Sequence, residues 1–301
     1  MFPPLSEIKC KFALVKENTM KHTIFKSLLL LIFGVILSFD SSTIAQSTNQ
    51  TDKGGFYFYW GYNRSAYTKS DLTLVGRGYD FTMKDMTASD NPEKLSMNYL
   101  DIKKITIPQF NVRLGYFFKD NWSLTAGYDH MKYVMDHPQD VIIDGYVTPG
   151  ISDLWSGEYD NELSPTNYDD IHYENSDGLN YIRFELARYF NLLSVGENNW
   201  FRIRAQAAVA TGIILSFNDL NFANQFDRKT ISVSGYGVSL HPGLRLEFFN
   251  HIFLQTNLSA GFMHQVKVRT RPDDKGSYAK QRFGYLASEL VLGYTWRFNK
   301  E

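Results

Sequence analysis

Cysteine is nearly absent from this chain: there is one in 301 residues, Cys10. If the first 45 residues are removed, as argued below, none remains. That excludes disulfide staples, thiol catalysis and a lipid-anchoring cysteine at the cleavage point. Long apolar runs are also missing. The longest, residues 27–39 (SLLLLIFGVILSF), falls short of the about 20 residues a membrane-spanning helix needs. Positive charge is not in excess, with 31 Lys and Arg against 32 Asp and Glu, so nothing suggests a nucleic-acid partner. No long stretch keeps a helical period. Five histidines, His137, His172, His241, His251 and His264, show no metal-ligand spacing such as HExxH.

The short apolar run has a clear context. Lys21 and Lys26 precede it, and Ser41, Ser42, Thr43, Ile44 and Ala45 follow. A basic start, an apolar middle and a small-residue end describe a cleavable signal peptide. Cleavage is expected after Ala45, with Met20 as the true start and residues 1–19 lying upstream of it. The alternative is an uncleaved anchor. Residues 46–53 (QSTNQTDK) read as a polar periplasmic lead-in, and 54–301 as the folded part. Losing residues 1–45 removes five Lys and three acids, which leaves 26 basic and 29 acidic residues and a net charge of −3.

Aromatics are abundant, at 16% with 19 Tyr and 23 Phe, while mean hydropathy is slightly negative. The dominant pattern is period two. Phe56, Phe58, Trp60 and Tyr62 alternate with Tyr57, Tyr59, Gly61 and Asn63. Similar alternation runs through 109–116, 122–129, 182–187, 201–209, 236–248, 252–262 and 289–298. One face of these segments is almost entirely apolar. The other carries Arg113, Asp129, Arg183, Glu185, Arg202, Arg204, Arg245, Glu247, Glu289 and Arg297. Ten charges do not fit a dry apolar core, but they fit a polar barrel lumen where opposite signs pair and the apolar face meets lipid. Only a closed barrel satisfies every backbone group of strands in lipid. The expected fold is all-β: an eight-stranded antiparallel up-and-down transmembrane barrel.

The connections set its direction. Three are short (119–121, 191–199 and 250–251), and four are long or polar (67–106, 136–178, 217–228 and 269–280). Short periplasmic turns and longer outer loops are usual. Segment 72–86 also looks β-like. Counting it as a spanning strand would put a terminus on the wrong side, so it is assigned to a hairpin within the first outer loop. Pro242 sits inside one strand, where it removes a ladder donor, so a bulge or a strand end is expected nearby.

The last strand places Gly293, Trp296 and Phe298 near the terminus, which resembles the C-terminal signal that outer-membrane barrels present to their assembly machinery. Asn299, Lys300 and Glu301 follow, so the match is imperfect. Over residues 54–298 the chain resembles small eight-stranded outer-membrane barrels of the OmpA and OmpX type. In detail it is more similar to a barrel family of Bacteroidota, on the stretches FYFYWGYNRS (56–65), GYDFTMKDMTASD (78–90), DHMKYVM (129–135) and NSDGLNY (175–181). The resemblance implies a Gram-negative outer membrane, with lipid and lipopolysaccharide as surroundings, and carries over no catalytic residue.

The sharpest local feature is segment 136–178. It holds eleven acids: Asp136, Asp140, Asp144, Asp153, Glu158, Asp160, Glu162, Asp169, Asp170, Glu174 and Asp177. It has no Lys or Arg, and Tyr146, Trp155, Tyr159, Tyr168 and Tyr173 are interleaved. Carboxylates suit Ca²⁺ or a cationic partner and aromatic faces suit a glycan, although the spacing matches no EF-hand. The plain reading is a solvated acidic loop. A third is a cap formed with the basic segment that holds Lys267, Arg269, Arg271, Lys275, Lys280 and Arg282. An enzymatic alternative, a deacylase or acyltransferase acting on lipid A, would use Asp129, His130, Ser176 and Asp177 at the rim. It conflicts with the expected outward direction of His130 and with a charged lumen. A small channel is the remaining alternative, although eight strands enclose little more than their own side chains.

Overall fold

The computed structural model describes residues 51–94, 96, 101, 107–196 and 199–298, all within one compact unit spanning 45–301. The expected signal segment and its cleavage point lie outside the described residues, as does the extreme C-terminus. Fourteen antiparallel strands are present among the described residues: β1 Phe56–Tyr67, β2 Ser70–Gly76, β3 Tyr79–Met86, β4 Ala88–Ser89, β5 Phe110–Lys119, β6 Trp122–Met135, β7 Gln139–Val147, β8 Gly157–Thr166, β9 Ile171–Val195, β10 Phe201–Phe222, β11 Thr230–Leu240, β12 Gly243–Phe248, β13 Ile252–Arg269 and β14 Tyr278–Trp296.

A closed ring runs β1–β5–β6–β9–β10, then β11 and β12 in one position, then β13–β14 and back to β1. The ring therefore has eight positions, and the remaining strands lie in the loops. β11 and β12 are one strand broken at Pro242. His241 and Ala208 still exchange backbone hydrogen bonds, and the Pro242 carbonyl accepts from Leu258 N at 2.9 Å, so the ladder resumes past the missing donor. Phe56 pairs with Trp296, which puts both ends of the ring at the same rim, beside the short turns. One of these turns is Phe249-Asn250, both at positive φ, a two-residue hairpin geometry.

Burial follows the alternation. On the exterior, Phe184 is 69% exposed, Leu292 62% and Leu114 58%. Inside, Arg113, Arg183, Arg202, Arg204 and Arg245 are among the largest fully buried side chains. An apolar exterior around a charged interior is the inverse of a soluble barrel and marks a transmembrane one.

Several strands run further than the alternation indicates. β9 continues to Val195, so the turn expected at 191–199 shrinks to 196–200; at its other end β9 begins at Ile171, inside the segment read as a loop. β10 reaches Phe222, and β14 begins at Tyr278 rather than near 289. The pairing is irregular where these strands continue, with register shifts at Met131/Tyr133, Ser216/Asp219 and Gln265/Val268. β9 carries two extra residues at the first two, and β13 carries one at the third, which moves its buried set from odd to even positions.

The β-like segment 72–86 is a hairpin, β2–β3, outside the ring. It extends the β14 edge through Tyr278–Lys280, and β7 and β8 follow in the order β14–β2–β3–β7–β8. A second core lies beneath this sheet, built from Leu72, Phe81, Met83, Ile143, Trp155, Tyr173, Leu220, Met263, Phe283 and their neighbours. The lumen is thus charged toward the turn end and apolar toward the loop end.

Candidate functional site

All ten charged residues assigned to the lumen face it, and nine take part in two separate ion clusters. The cluster at mid-height starts from Asp129. Arg113 pairs with it, and Arg183 Nε reaches its Oδ2 at 3.1 Å. Arg183 also lies 3.5 Å from Glu185 and 3.7 Å from Glu289. Glu289 accepts from Ser259 at 2.6 Å and Asn257 at 2.9 Å, so its charge is matched by donors on the next strand. Gly127 makes room for this cluster: a Cβ there would meet Arg113 Cδ at 2.3 Å, so only glycine lets the guanidinium cross to Asp129.

The second cluster closes the turn end. Arg202 donates to Glu247 at 2.8 Å and Arg297 pairs with the same carboxylate, with Arg204 3.6 Å away. Its centre is Asp52, which the sequence reading left in a polar lead-in. Asp52 is buried and lies 2.5 Å from Arg204, 3.1 Å from Arg297 and 3.8 Å from Arg202. Burial alone would raise its pKa; the pull of Arg204, Arg202 and Arg297 wins and holds it far below the ordinary aspartate value. The lead-in is pinned at the β5–β6 turn, where Asp120 Oδ1 accepts from the backbone N–H of Asp52 at 2.7 Å and of Lys53 at 3.0 Å.

Arg245 belongs to neither cluster. Its guanidinium carbon lies 3.8 Å from the centroid of Phe253, 4.7 Å from Tyr189 and 4.9 Å from Tyr57, while Nε donates to Gln255 at 2.6 Å. A desolvated cation held by ring faces is a second solution to the same burial problem. The aromatic layer lies between the two charge clusters, touching Arg204 on one side and Arg113 on the other, and the apolar core lies toward the loop end.

The acidic segment becomes the β7–β8 hairpin and the start of β9. Asp153, Glu158, Asp160, Glu162 and Asp169 are exposed, and Asp170 is half-buried in a turn where Asn167 accepts from the N–H of Asp169 and Asp170. Trp155 is only 4% exposed and stacks on Phe81 at 6.3 Å and 19°. The half-buried Tyr159 donates its hydroxyl to the Trp155 carbonyl at 2.8 Å. These two rings therefore anchor the hairpin and are not offered to a sugar. Tyr146 and Tyr168 remain exposed. Among the described residues, no group of three or more His, Cys, Asp or Glu converges in a way that could hold a metal ion.

The reading in which the acidic and basic loops pair finds no ion pair between them among the described residues. Lys84 takes Asp144 at 2.9 Å, Arg228 takes Asp273 at 2.8 Å, and Lys229 takes Asp177 at 2.6 Å. Arg271 instead donates to the carbonyls of Leu220 at 2.7 Å and Phe222 at 3.0 Å, which ties down the end of β10. The cap is held by strand pairing and apolar packing.

The four rim residues weighed for catalysis are not assembled. Asp129 is spent in the lumen, His130 Nδ1 contacts Asn180 Oδ1 at 2.8 Å, Asp177 holds Lys229, and Ser176 donates to Glu174 at 2.8 Å. A different chain of groups is present: His137 Nε2 lies 3.0 Å from His172 Nδ1, and His172 Nε2 lies 3.2 Å from Glu174. Burial and the neighbouring His172 lower the His137 pKa; the hydrogen bond from His172 is the main cause that lowers Glu174. Spacing of 35 residues hid this pair from the sequence reading.

No family model matches the chain, and no curated protein matches it. Solved structures do. It is similar to the outer-membrane protein OprG of Pseudomonas aeruginosa (12% identity, 83% of this chain and 100% of that one, TM-score 0.38). It is also similar to the N-terminal barrel domain of OprF from the same organism (12%, 82% and 100%, TM-score 0.32). A third is Ail, the attachment invasion locus protein of Yersinia pestis (10%, 81% and 99%, TM-score 0.27). The barrel assignment itself stands on the strand pairings.

Proposed function

We propose that this chain is an outer-membrane protein whose working part is the sheet β2–β3–β7–β8 projecting beyond the barrel, and that it binds cationic partners outside the cell. The observation that carries this reading is the contrast between a lumen lined by buried ion clusters, aromatic rings and an apolar core and a projecting hairpin whose exposed charged side chains are all carboxylates. Buried ion clusters and rings crossing the lumen oppose a channel. The separation of Ser176 from His130 opposes the lipid A-modifying alternative. Asp153, Glu158, Asp160 and Glu162 are spread along a strand and its approach rather than gathered at a point, which favours an extended cationic ligand over a single Ca²⁺ ion.

The test is binding of fluorescent polylysine to vesicles carrying the protein, at two salt concentrations. Saturable binding that weakens with salt, and is lost when those four carboxylates become amides, supports the reading. Equal binding by wild type and variant removes it.

A further inference from the structure

The outer wall of β13 and β14 changes character part-way up. On β14 the even positions face outward, and Leu292, Leu290 and Leu286 form an exposed apolar row from the turn end. Arg282 and Lys280 continue that row, both exposed. On β13 the even positions face outward from Ile252 to Val266, where the register slips at Gln265/Val268. Val266 and Lys267 stand opposite Lys280 alone, and the bulge leaves both exposed. In an unbroken ladder Lys267 would enter the lumen, as the odd positions Met263 and Gln265 do. The bulge therefore brings Lys267 to the outer wall beside Lys280 and Arg282.

None of these three cations forms an ion pair among the described residues; Lys267 Nζ meets only the Tyr278 ring, 5.1 Å from its centroid. Acids on the adjoining loop and strand are engaged elsewhere. Asp273 pairs with Arg228 at 2.8 Å, Asp274 accepts from Ser277 at 2.8 Å, and Asp71 accepts from the N–H of Asp85 at 3.1 Å. Like charges facing each other across a ladder repel, and an anion from outside would relieve that repulsion. The depth of the patch follows from the strand. Twelve residues of β14 separate Tyr294 at the turn-end rim from Arg282, about 40 Å of strand and about 30 Å of height at the usual tilt. The apolar band of such barrels is about 25 Å tall, so the patch stands at the outer headgroups. Tyr236, 51% exposed on the neighbouring β11 with its hydroxyl 3.2 Å from His264 Nδ1, is an interfacial tyrosine beside it.

We propose that this patch holds a phosphate of a lipid A-type phosphoglycolipid in the outer leaflet, with acyl chains lying along Leu286, Leu290 and Leu258. Arg282 offers phosphate oxygens a planar fork of N–H groups, and Lys267 and Lys280 add point charges. Cations above and an exposed apolar row below match one amphiphile in one orientation. The depth decides the source: the patch lies at the end of the long loops, where lipopolysaccharide forms the leaflet. The inference rests on the membrane orientation and not on what the outer sheet binds.

The test is native mass spectrometry of the detergent-purified barrel titrated with bisphosphorylated lipid A, and with the same lipid stripped of its phosphates. Wild type is expected to retain one bisphosphorylated lipid well above the stripped one. Arg282→Gln should weaken retention about fivefold, and the triple change Lys267→Gln, Lys280→Gln, Arg282→Gln about a hundredfold. Lys132→Gln, which removes a cation on the opposite wall, should leave retention unchanged. Each variant is used only if its unboiled band still shifts on heating in SDS; if the triple variant fails, the single one decides. Equal retention of both lipids by wild type, unchanged retention in a folded patch variant, or an equal loss in Lys132→Gln overturns the proposal. Displacement of the lipid by inorganic phosphate alone would reduce the site to an anion contact and overturn the lipid assignment.

Discussion

Asp52→Asn is the substitution with the most informative consequence. The change keeps the shape and removes one charge from a buried group that faces Arg204 at 2.5 Å, Arg297 at 3.1 Å and Arg202 at 3.8 Å. Three guanidiniums would then share Glu247 alone. Removing one partner of a buried ion pair costs about 3–5 kcal/mol, because the remaining charges stay desolvated. Urea unfolding of the barrel in vesicles near neutral pH should show a loss of that size. The pH dependence gives a second reading. The folded pKa of Asp52 lies well below the ordinary aspartate value of about 3.9, so its contribution is fully present above about pH 4 and is lost progressively as pH falls further. Wild type and variant should therefore converge on acidification. An unchanged unfolding midpoint at neutral pH, or a gap that does not narrow as pH falls below about 4, would refute the role given to Asp52.

Other outcomes follow from the same contacts. Asp129→Ala should destabilise the barrel by about 3–5 kcal/mol by stranding Arg113 and Arg183, and Gly127→Val should act in the same direction by blocking Arg113; both are read from urea midpoints. Trp155→Ala should cost about 3–5 kcal/mol locally, seen as faster proteolysis between β7 and β8 while the SDS-resistant barrel persists. Because the folded pKa of His137 is lowered, its contribution should be present above about pH 6.5 and be lost below it. Proteolysis near His137 should then rise on mild acidification in wild type but not in His137→Ala. Ser176→Ala and His130→Ala should leave lipid A unmodified and unchanged by mass spectrometry; loss of a lipid A product in either would revive the enzymatic reading.

The ring was legible in the sequence because lipid on one side and buried charge on the other impose opposite chemistry on alternate residues. Arg202, Arg204 and Glu247 announce the lumen by residue type alone. The outer ends were not legible, because the inward residues there change from charged to apolar, with Tyr173, Leu220 and Phe283, and charge no longer marks the lumen face. Trp155 looked like a binding ring because it stands among acids. Its burial depends on Phe81, 74 positions away, in a hairpin that must first dock on β14. Asp52 lay in a polar octapeptide with no periodicity to mark it. Only the three arginines waiting at the turn end reveal its part, and they converge from β10 and the end of β14.

Heat-modifiability on SDS gels tests the closed barrel most directly. The membrane-extracted protein is predicted to run at a different apparent size when unboiled and to shift on boiling, because a ring closed by β1 on β14 resists SDS until heated. Identical migration before and after boiling, together with fractionation as a soluble protein, would contradict the account and turn the exposed apolar wall into a surface that water must cover.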